Sequence, residues 1–243
     1  MGIWLGPMGG NGIGANDFTF TGQSSYTSSG GYWEIALTGG ENATLVFLKP
    51  PGAVDIFLVA GGKTGGKGGG NAYGGRGGAG GELKTIPGVA LEVGVSYGVT
   101  VGASDKDSKF TIPGGTEYIA QSGQGQTGGR GGQCGDSGNV TAGAGSDGSL
   151  AFNGNDCLSF PGRKFGASGG GGGCTSSGYD SKNPAKGGET GAGKGGDSYG
   201  SPGVNATANT GSGGGGQGYN AATSKVWGPG SGGSGVILIR GTL

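Results

Sequence analysis

The sequence predicts an all-β protein: a β-sandwich carrying an inserted bundle of polyglycine-II helices, which are polyproline-II-type threads, with almost no α-helix. Three observations predict it. Glycine supplies 71 of 243 residues, several times ordinary usage. It is concentrated in runs from Gly61 onward, among them 61–81 (GGKTGGKGGGNAYGGRGGAGG), 127–138 (TGGRGGQCGDSG), 166–174 (GASGGGGGC), 186–196 (KGGETGAGKGG), 211–218 (GSGGGGQG) and 228–235 (GPGSGGSG). Apolar residues collect elsewhere, in short runs before position 120 and again at the very end (GVILIRG). No long stripe with a 3.6-residue period appears, which leaves strands as the regular elements.

Glycine loses more backbone freedom on folding than any other residue, so ordered glycine needs a compensating structure. A collagen triple helix needs an unbroken glycine at every third position, and the chain has none. A flexible linker needs no spacing. A packed bundle of three-residue-per-turn threads has no bonds within a thread, so each N–H and C=O must find a neighbouring thread, and inward side chains would hold the backbones apart. The local spacing fits the bundle. Gly74, Gly77 and Gly80 repeat every three residues, as do Gly129, Gly132, Gly135 and Gly138, and Gly166, Gly169 and Gly172. A second phase is often glycine too (Gly75 and Gly78), while the third carries Arg76, Arg130, Gln133 and Asp136.

The strand signals come in order. DFTFTG (17–22) and WEIAL (33–37) alternate apolar and polar residues, and ATLVFL (43–48) stops at Lys49-Pro50-Pro51-Gly52. VDIFLVA (54–60) runs straight into the first glycine block, and ELKTI (82–86) ends at Pro87-Gly88. ALEVGVSYGVTVG (90–102) alternates at Leu91, Val93, Val95, Tyr97, Val99 and Val101, and 110–112 and 117–120 flank Pro113-Gly114-Gly115. A disordered tail has no reason to finish in VILI, so 236–239 is expected inside the sheet of the N-terminal half, beside 54–59. The organisation that follows is an N-terminal arm (1–15), a sandwich (16–122 with 235–243, including the glycine block 61–81) and a glycine bundle (123–234). The arm, with Ile3, Trp4, Leu5 and Met8, packs either on a partner subunit or on its own domain.

Several function classes are disfavoured. Lys plus Arg and Asp plus Glu are 15 each, without the basic excess of a nucleic-acid binder. No apolar run reaches membrane-span length, and the opening MGIWLGPMGG lacks a signal peptide's basic and continuous apolar regions. Histidine is missing, which removes Ser-His-Asp and Cys-His nucleophile systems. Gly62-Lys63-Thr64 resembles a phosphate loop, but Phe57 stands where the pattern needs glycine. AGAGSDGSL (142–150) is a single imperfect likeness of a calcium nonapeptide. Cys134, Cys157 and Cys174 are an odd set without Cys-x-x-Cys spacing, so no metal site and no cofactor are expected. Asn42, Asn139 and Asn205 open glycosylation sequons, which matter only in a eukaryotic secretory pathway.

The order of VDIFLVAGG, a glycine block, GELKTIPGVALEVGVSYGVTVGA, a long glycine region and GGSGVILIR resembles the glycine-rich domain of bacteriophage tail and minor structural proteins. It is also similar to the glycine-rich ectodomain region of the anaplastic lymphoma kinase and leukocyte tyrosine kinase receptors, and the tip adhesins of T-even phage tail fibres use similar glycine motifs. The resemblance implies a TNF-like, jelly-roll sandwich holding a polyglycine-II bundle. It also implies display on a virion surface and a non-enzymatic role in host attachment. A host cell-surface receptor, glycan or protein, other virion or tail subunits and further copies of the chain are the implied partners, with no membrane insertion. The alternative is a purely structural self-assembling fibre, capsid-decoration or extracellular matrix protein.

Recognition is expected of the aromatic and charged residues between glycine runs, because rings at rigid loop tips give large contact area at low entropy cost. They are Phe152, Phe160, Arg163 and Phe165 in the longest non-glycine loop, with Tyr179, Tyr199, Tyr219 and Trp227 beside later runs. The competing reading is that these rings cap thread ends and cover backbone.

Overall fold

A computed structural model describes residues 12–68, 74–125, 127–128, 149–150, 163–176, 179–180, 187, 191–197, 200–220 and 223–243. Among them the protein is all-β. In chain order the strands are β1 (Phe18–Phe20), β2 (Gln23–Ser29), β3 (Tyr32–Gly39), β4 (Ala43–Phe47), β5 (Ala53–Val59), β6 (Leu83–Ala90), β7 (Tyr97–Thr100), β8 (Ser108–Thr111) and β9 (Glu117–Ala120). Six short strands follow: β10 (Ser149–Leu150), β11 (Lys164–Phe165), β12 (Cys174–Ser176), β13 (Tyr179–Asp180), β14 (Tyr219–Asn220) and β15 (Lys225–Val226). The last is β16 (Val236–Thr242).

Two five-stranded sheets, β1-β4-β7-β8-β9 and β2-β3-β16-β5-β6, enclose one apolar core. Period-two alternation sends Trp33, Ile35 and Leu37 of β3, Leu45 and Phe47 of β4, Ile56 and Leu58 of β5, Tyr97 and Val99 of β7, Phe110 of β8 and Ile237 and Ile239 of β16 into it. The final strand occupies the middle of its sheet. It pairs antiparallel with β3 (Ile237 with Leu37, Ile239 with Ile35) and with β5 (Val236 with Val59, Ile239 with Ile56), as VILI predicts. The outer face of these strands is apolar as well. Phe57, Val59, Val236 and Leu238 form a second cluster, against which Ala36, Leu83 and Phe165 pack.

The strands differ from expectation in three places. β2 (QSSYTSS) has no apolar alternation, because all its residues but Tyr26 are exposed on the sheet edge. Its signal is the Gly30-Gly31 pair, which turns into β3 with φ of 62° and 82°, the positive values a two-residue hairpin requires. β6 runs through Pro87 to Ala90, tolerated because an edge strand need not use that N–H. The stretch 90–102 is not one strand. Gly94 takes φ of 74°, the Glu92 N–H donates to the Tyr97 hydroxyl at 2.6 Å, and regular pairing begins only at Tyr97. At the N-terminus, Ile13 is buried in the sandwich core and its carbonyl accepts the Tyr26 hydroxyl at 2.6 Å. Residues 1–11 of the arm lie outside the described residues.

The glycine segments form extended threads whose backbone bonds run between segments and recur every third residue. Gly75, Gly78 and Gly81 donate to the carbonyls of Gln217, Gly214 and Gly211, and Gly172 and Gly169 to those of Gly75 and Gly78. Around the threads 166–173, 191–197 and 211–219 the bonds wind continuously: Gly173 to Gly196, Gly196 to Gly216, Gly216 to Gly170, Gly170 to Gly193, Gly193 to Gly213 and Gly213 to Ala167, at 2.7–2.9 Å. Each circuit returns to the first thread three residues earlier.

The thread 211–218 is the axis of this arrangement. It exchanges backbone bonds with 61–66 (Gly214 to Lys63, Gln217 to Gly66), 74–81, 166–173, 191–197, 203–207 (Gly215 to Val204) and 228–235 (Gly230 to Gly215, Gly233 to Ser212). Its glycines therefore have no free side. A Cβ on Gly213 or Gly216 would run into the carbonyls of Gly78 or Gly75, on Gly214 into that of Gly230, and on Gly215 or Gly218 into those of Lys194 or Asp197. The thread 74–81 has two such phases. Gly74, Gly77 and Gly80 face 166–173, Gly75 and Gly78 face 61–66, and Arg76 in the third phase is exposed. Within the block 61–81, the described segments 61–66 and 74–81 bond to the later glycine threads and, at Gly61 and Gly62, also to Lys106 and Asp105. The repeat from Gly129 to Gly138 lies outside the described residues, as do Cys134 and Cys157.

Substitution separates packing from composition. Gly214→Ala should destabilise the protein by about 3 kcal/mol or more, the upper range for overpacking a core. Gly228→Ala, where a Cβ meets nothing within 4 Å, should stay within about 0.5 kcal/mol of the parent. Urea denaturation of the two variants checks this, and equal losses would contradict the thread packing.

Candidate functional site at the far end of the bundle

The axial thread starts against the sandwich, where a Cβ on Gly211 would touch the Ala60 carbonyl and the Val59 side chain. Eight residues later it ends in β14. There Tyr219 and Asn220 pair with Val226 and Lys225 of β15. The Thr223 N–H donates to the Asn220 side-chain carbonyl at 3.2 Å, and Ser224 takes φ of 51°. The Trp227 N–H continues the ladder to the Gly218 carbonyl at 3.3 Å. On the other side of β14 lies β12, parallel to it, and then β13, giving the order β13-β12-β14-β15.

A second loop reaches the same end. Asp197 follows the thread 191–196, and its Oδ1 accepts the N–H groups of Gly200 at 2.8 Å and Ser201 at 3.0 Å. Burial pushes its pKa up, but the Ser201 and Gly200 bonds and the Lys194 charge outweigh it and hold the carboxyl below its ordinary value. The Trp227 indole nitrogen stands 4.0 Å from the position a Gly200 Cβ would take. The far end therefore joins the half-buried Trp227, the exposed Lys225 and Val226, and Asp197 with Gly200 and Ser201.

The expected recognition residues separate into two places. Trp227 lies at the far end, as do Tyr219, whose side chain is 8% exposed and so packs more than it presents, and the backbone of Tyr179 in β13. Arg163 and Phe165 instead sit on the outer face of the sandwich. Phe165 packs 5.6 Å from Phe57 between ring centroids. Arg163 pairs with Glu34 at 2.7 Å, and Glu34, itself 6% exposed, also holds Arg240 at 2.7 Å. These two side chains fasten the glycine insert to β3 and β5. Phe152, Phe160 and Tyr199 lie outside the described residues. Lys225 and Asp197 were not singled out from sequence, although both stand in the short non-glycine breaks that mark thread ends.

Near the sandwich, a pocket of about 320 Å³ is lined by Glu41, Thr100, Val101, Ala103, Lys106, Asp107 and Lys109. Beside it Asp105 clasps the first thread. The carboxylate accepts the Thr64 N–H at 3.1 Å and the Thr64 hydroxyl at 2.5 Å, with Lys63 at 3.9 Å. The donors of the Lys63-Thr64 phosphate-loop likeness are thus engaged within the protein. Among the described residues no three potential metal-ligating side chains cluster, and no helix is long and apolar enough to cross a membrane. Comparison of the chain with protein-family models, curated proteins and solved structures found no match.

Two electrostatic predictions follow from this geometry. Burial raises the Asp105 pKa, but the Thr64 and Ser104 bonds and Lys63 outweigh it and hold the carboxyl below its ordinary value. Its stabilisation is present above the unfolded value and lost as pH falls through the folded one. Asp105→Asn should therefore be less stable than the parent by under about 1 kcal/mol at neutral pH, with the gap closing below about pH 4, read from thermal unfolding across pH. Glu34→Gln, which strips a buried carboxylate from two arginines, should cost about 3 kcal/mol. Arg163→Ala, at the half-exposed end of the network, should cost under about 1 kcal/mol. Denaturant midpoints rank the two variants.

Proposed function

We propose that this protein is a non-enzymatic display module of a bacteriophage tail, a fibre-tip or tail-surface protein that attaches the virion to its host. One observation carries the reading. A thread bonded to six neighbours leads away from the sandwich to β14, beside which β15 and the Trp227 N–H complete the ladder that presents Lys225 and Trp227. Presenting a small set of side chains at the end of a stiff support lowers the ordering cost of binding. The attachment partner is a host surface molecule, glycan or protein. A half-buried indole beside an exposed lysine suits either a sugar face or a polar protein surface.

Binding of the fluorescently labelled protein to a panel of bacterial strains tests the proposal. At least one strain should retain the parent protein, and a Trp227→Ala, Lys225→Ala double variant of unchanged thermal stability should lose about tenfold or more in affinity, the loss of one interface anchor. Binding unaffected by the double change, or none by the parent to any strain, would count against attachment through this end.

A further inference from the structure

The sandwich has four edge strands, and three are protected in the usual ways. β1 has 3 residues. β9 has 4 and begins with Glu117. β6 carries Lys84 and Pro87. Short length, charge and proline all discourage edge-to-edge pairing. β2 has none of these. It runs for 7 residues, Gln23–Ser29, without a charge or a proline, and every residue but Tyr26 is exposed. One edge pairs with β3, in regular register from Ser24 to Ser29 and with a register shift between Gln23 and Ser24. The other makes no backbone bond to any described segment. The strand is also held in place. The Gly30-Gly31 turn fixes one end, and Tyr26 at its centre turns inward to pack on the core and bond the Ile13 carbonyl.

From this we infer that β2 is a self-association edge: two copies of the chain pair through antiparallel β2 strands about a two-fold axis at Tyr26, joining their outer sheets into one continuous sheet. The sequence QSSYTSS suits its own reverse. With Tyr26 on the axis, Ser25 meets Thr27 of the second copy, Ser24 meets Ser28 and Gln23 meets Ser29. These are small hydroxyl and amide pairs that fit a flat ladder and place no like charges opposite each other. Main-chain bonds supply the affinity, and the two-fold makes the contact closed, so association stops at the dimer.

Sedimentation velocity across a concentration series reads this directly. The parent chain should pass from monomer to dimer, and amides of residues 23–29 should gain hydrogen-exchange protection in the dimer. Ser25 and Thr27 lie on the solvent face, so Ser25→Lys with Thr27→Lys leaves the fold intact while setting like charges opposite each other twice across the axis. That variant should dissociate at least about tenfold more readily. So should Ser25→Glu with Thr27→Glu, and mixing the two variants should restore the dimer. A parent that stays monomeric, or a dimer indifferent to both charge pairs, would overturn the inference. Protection of 23–29 only on adding a different protein, with no dimer of the parent, would overturn it too, assigning the edge to a foreign strand.

Discussion

The structure depends on backbone hydrogen bonds made sideways. A helix satisfies its amides along its own axis, and a strand satisfies them with two neighbours in one plane. The thread 211–218 satisfies them in every direction around itself, with six neighbours. That geometry leaves no room for a Cβ on Gly213 to Gly216 or Gly218. Glycine is therefore used for what it lacks. Its absent side chain lets carbonyls and amides of adjacent threads meet at 2.7–3.1 Å, and the many bonds so formed offset the high entropic cost of ordering it.

Such a bundle has little apolar surface of its own and cannot collapse by the hydrophobic effect. The sandwich provides what is missing. β5 runs directly into the first thread at 61, and the thread ending at Gly235 runs directly into β16, two strands that are paired neighbours. Threads thus enter and leave the sandwich side by side. The apolar cluster of Phe57, Val59, Val236 and Leu238 with Phe165, the Glu34 ion pairs and the Asp105 clasp on Thr64 tie the two parts together at separate points.

Much of this was legible in the sequence, for identifiable reasons. VILI is apolar on both alternating faces, and only a central strand buries both, as Val236–Ile239 does. The glycine phases mark the sides on which a neighbouring backbone comes close: two in 74–81, with Arg76 outward, and all three in GSGGGGQG. Other features were hidden. β2 lies where its side chains meet water, so its identity rests on the Gly30-Gly31 turn and not on hydrophobicity. The alternation across 90–102 gave no warning of the left-handed Gly94. The packing of Phe165 on Phe57 and the pairing of Arg163 with Glu34 had no signal in their flanking sequence. Phe152, Phe160 and Tyr199 lie outside the described residues.

The position of the axial thread along the chain has a consequence for biosynthesis. Residues 61–66 and 74–81 are translated well over a hundred residues before 211–218, a thread that several of their bonds require, and β3 and β5 wait longer still for the strand that sits between them. During synthesis the early glycine blocks can bond to each other and to the loop at 105–106, but the partners supplied by 166–173, 211–218 and 228–235 are still to come. Order must then arrive late and together, as 211–242 threads into the middle of both the sheet and the bundle.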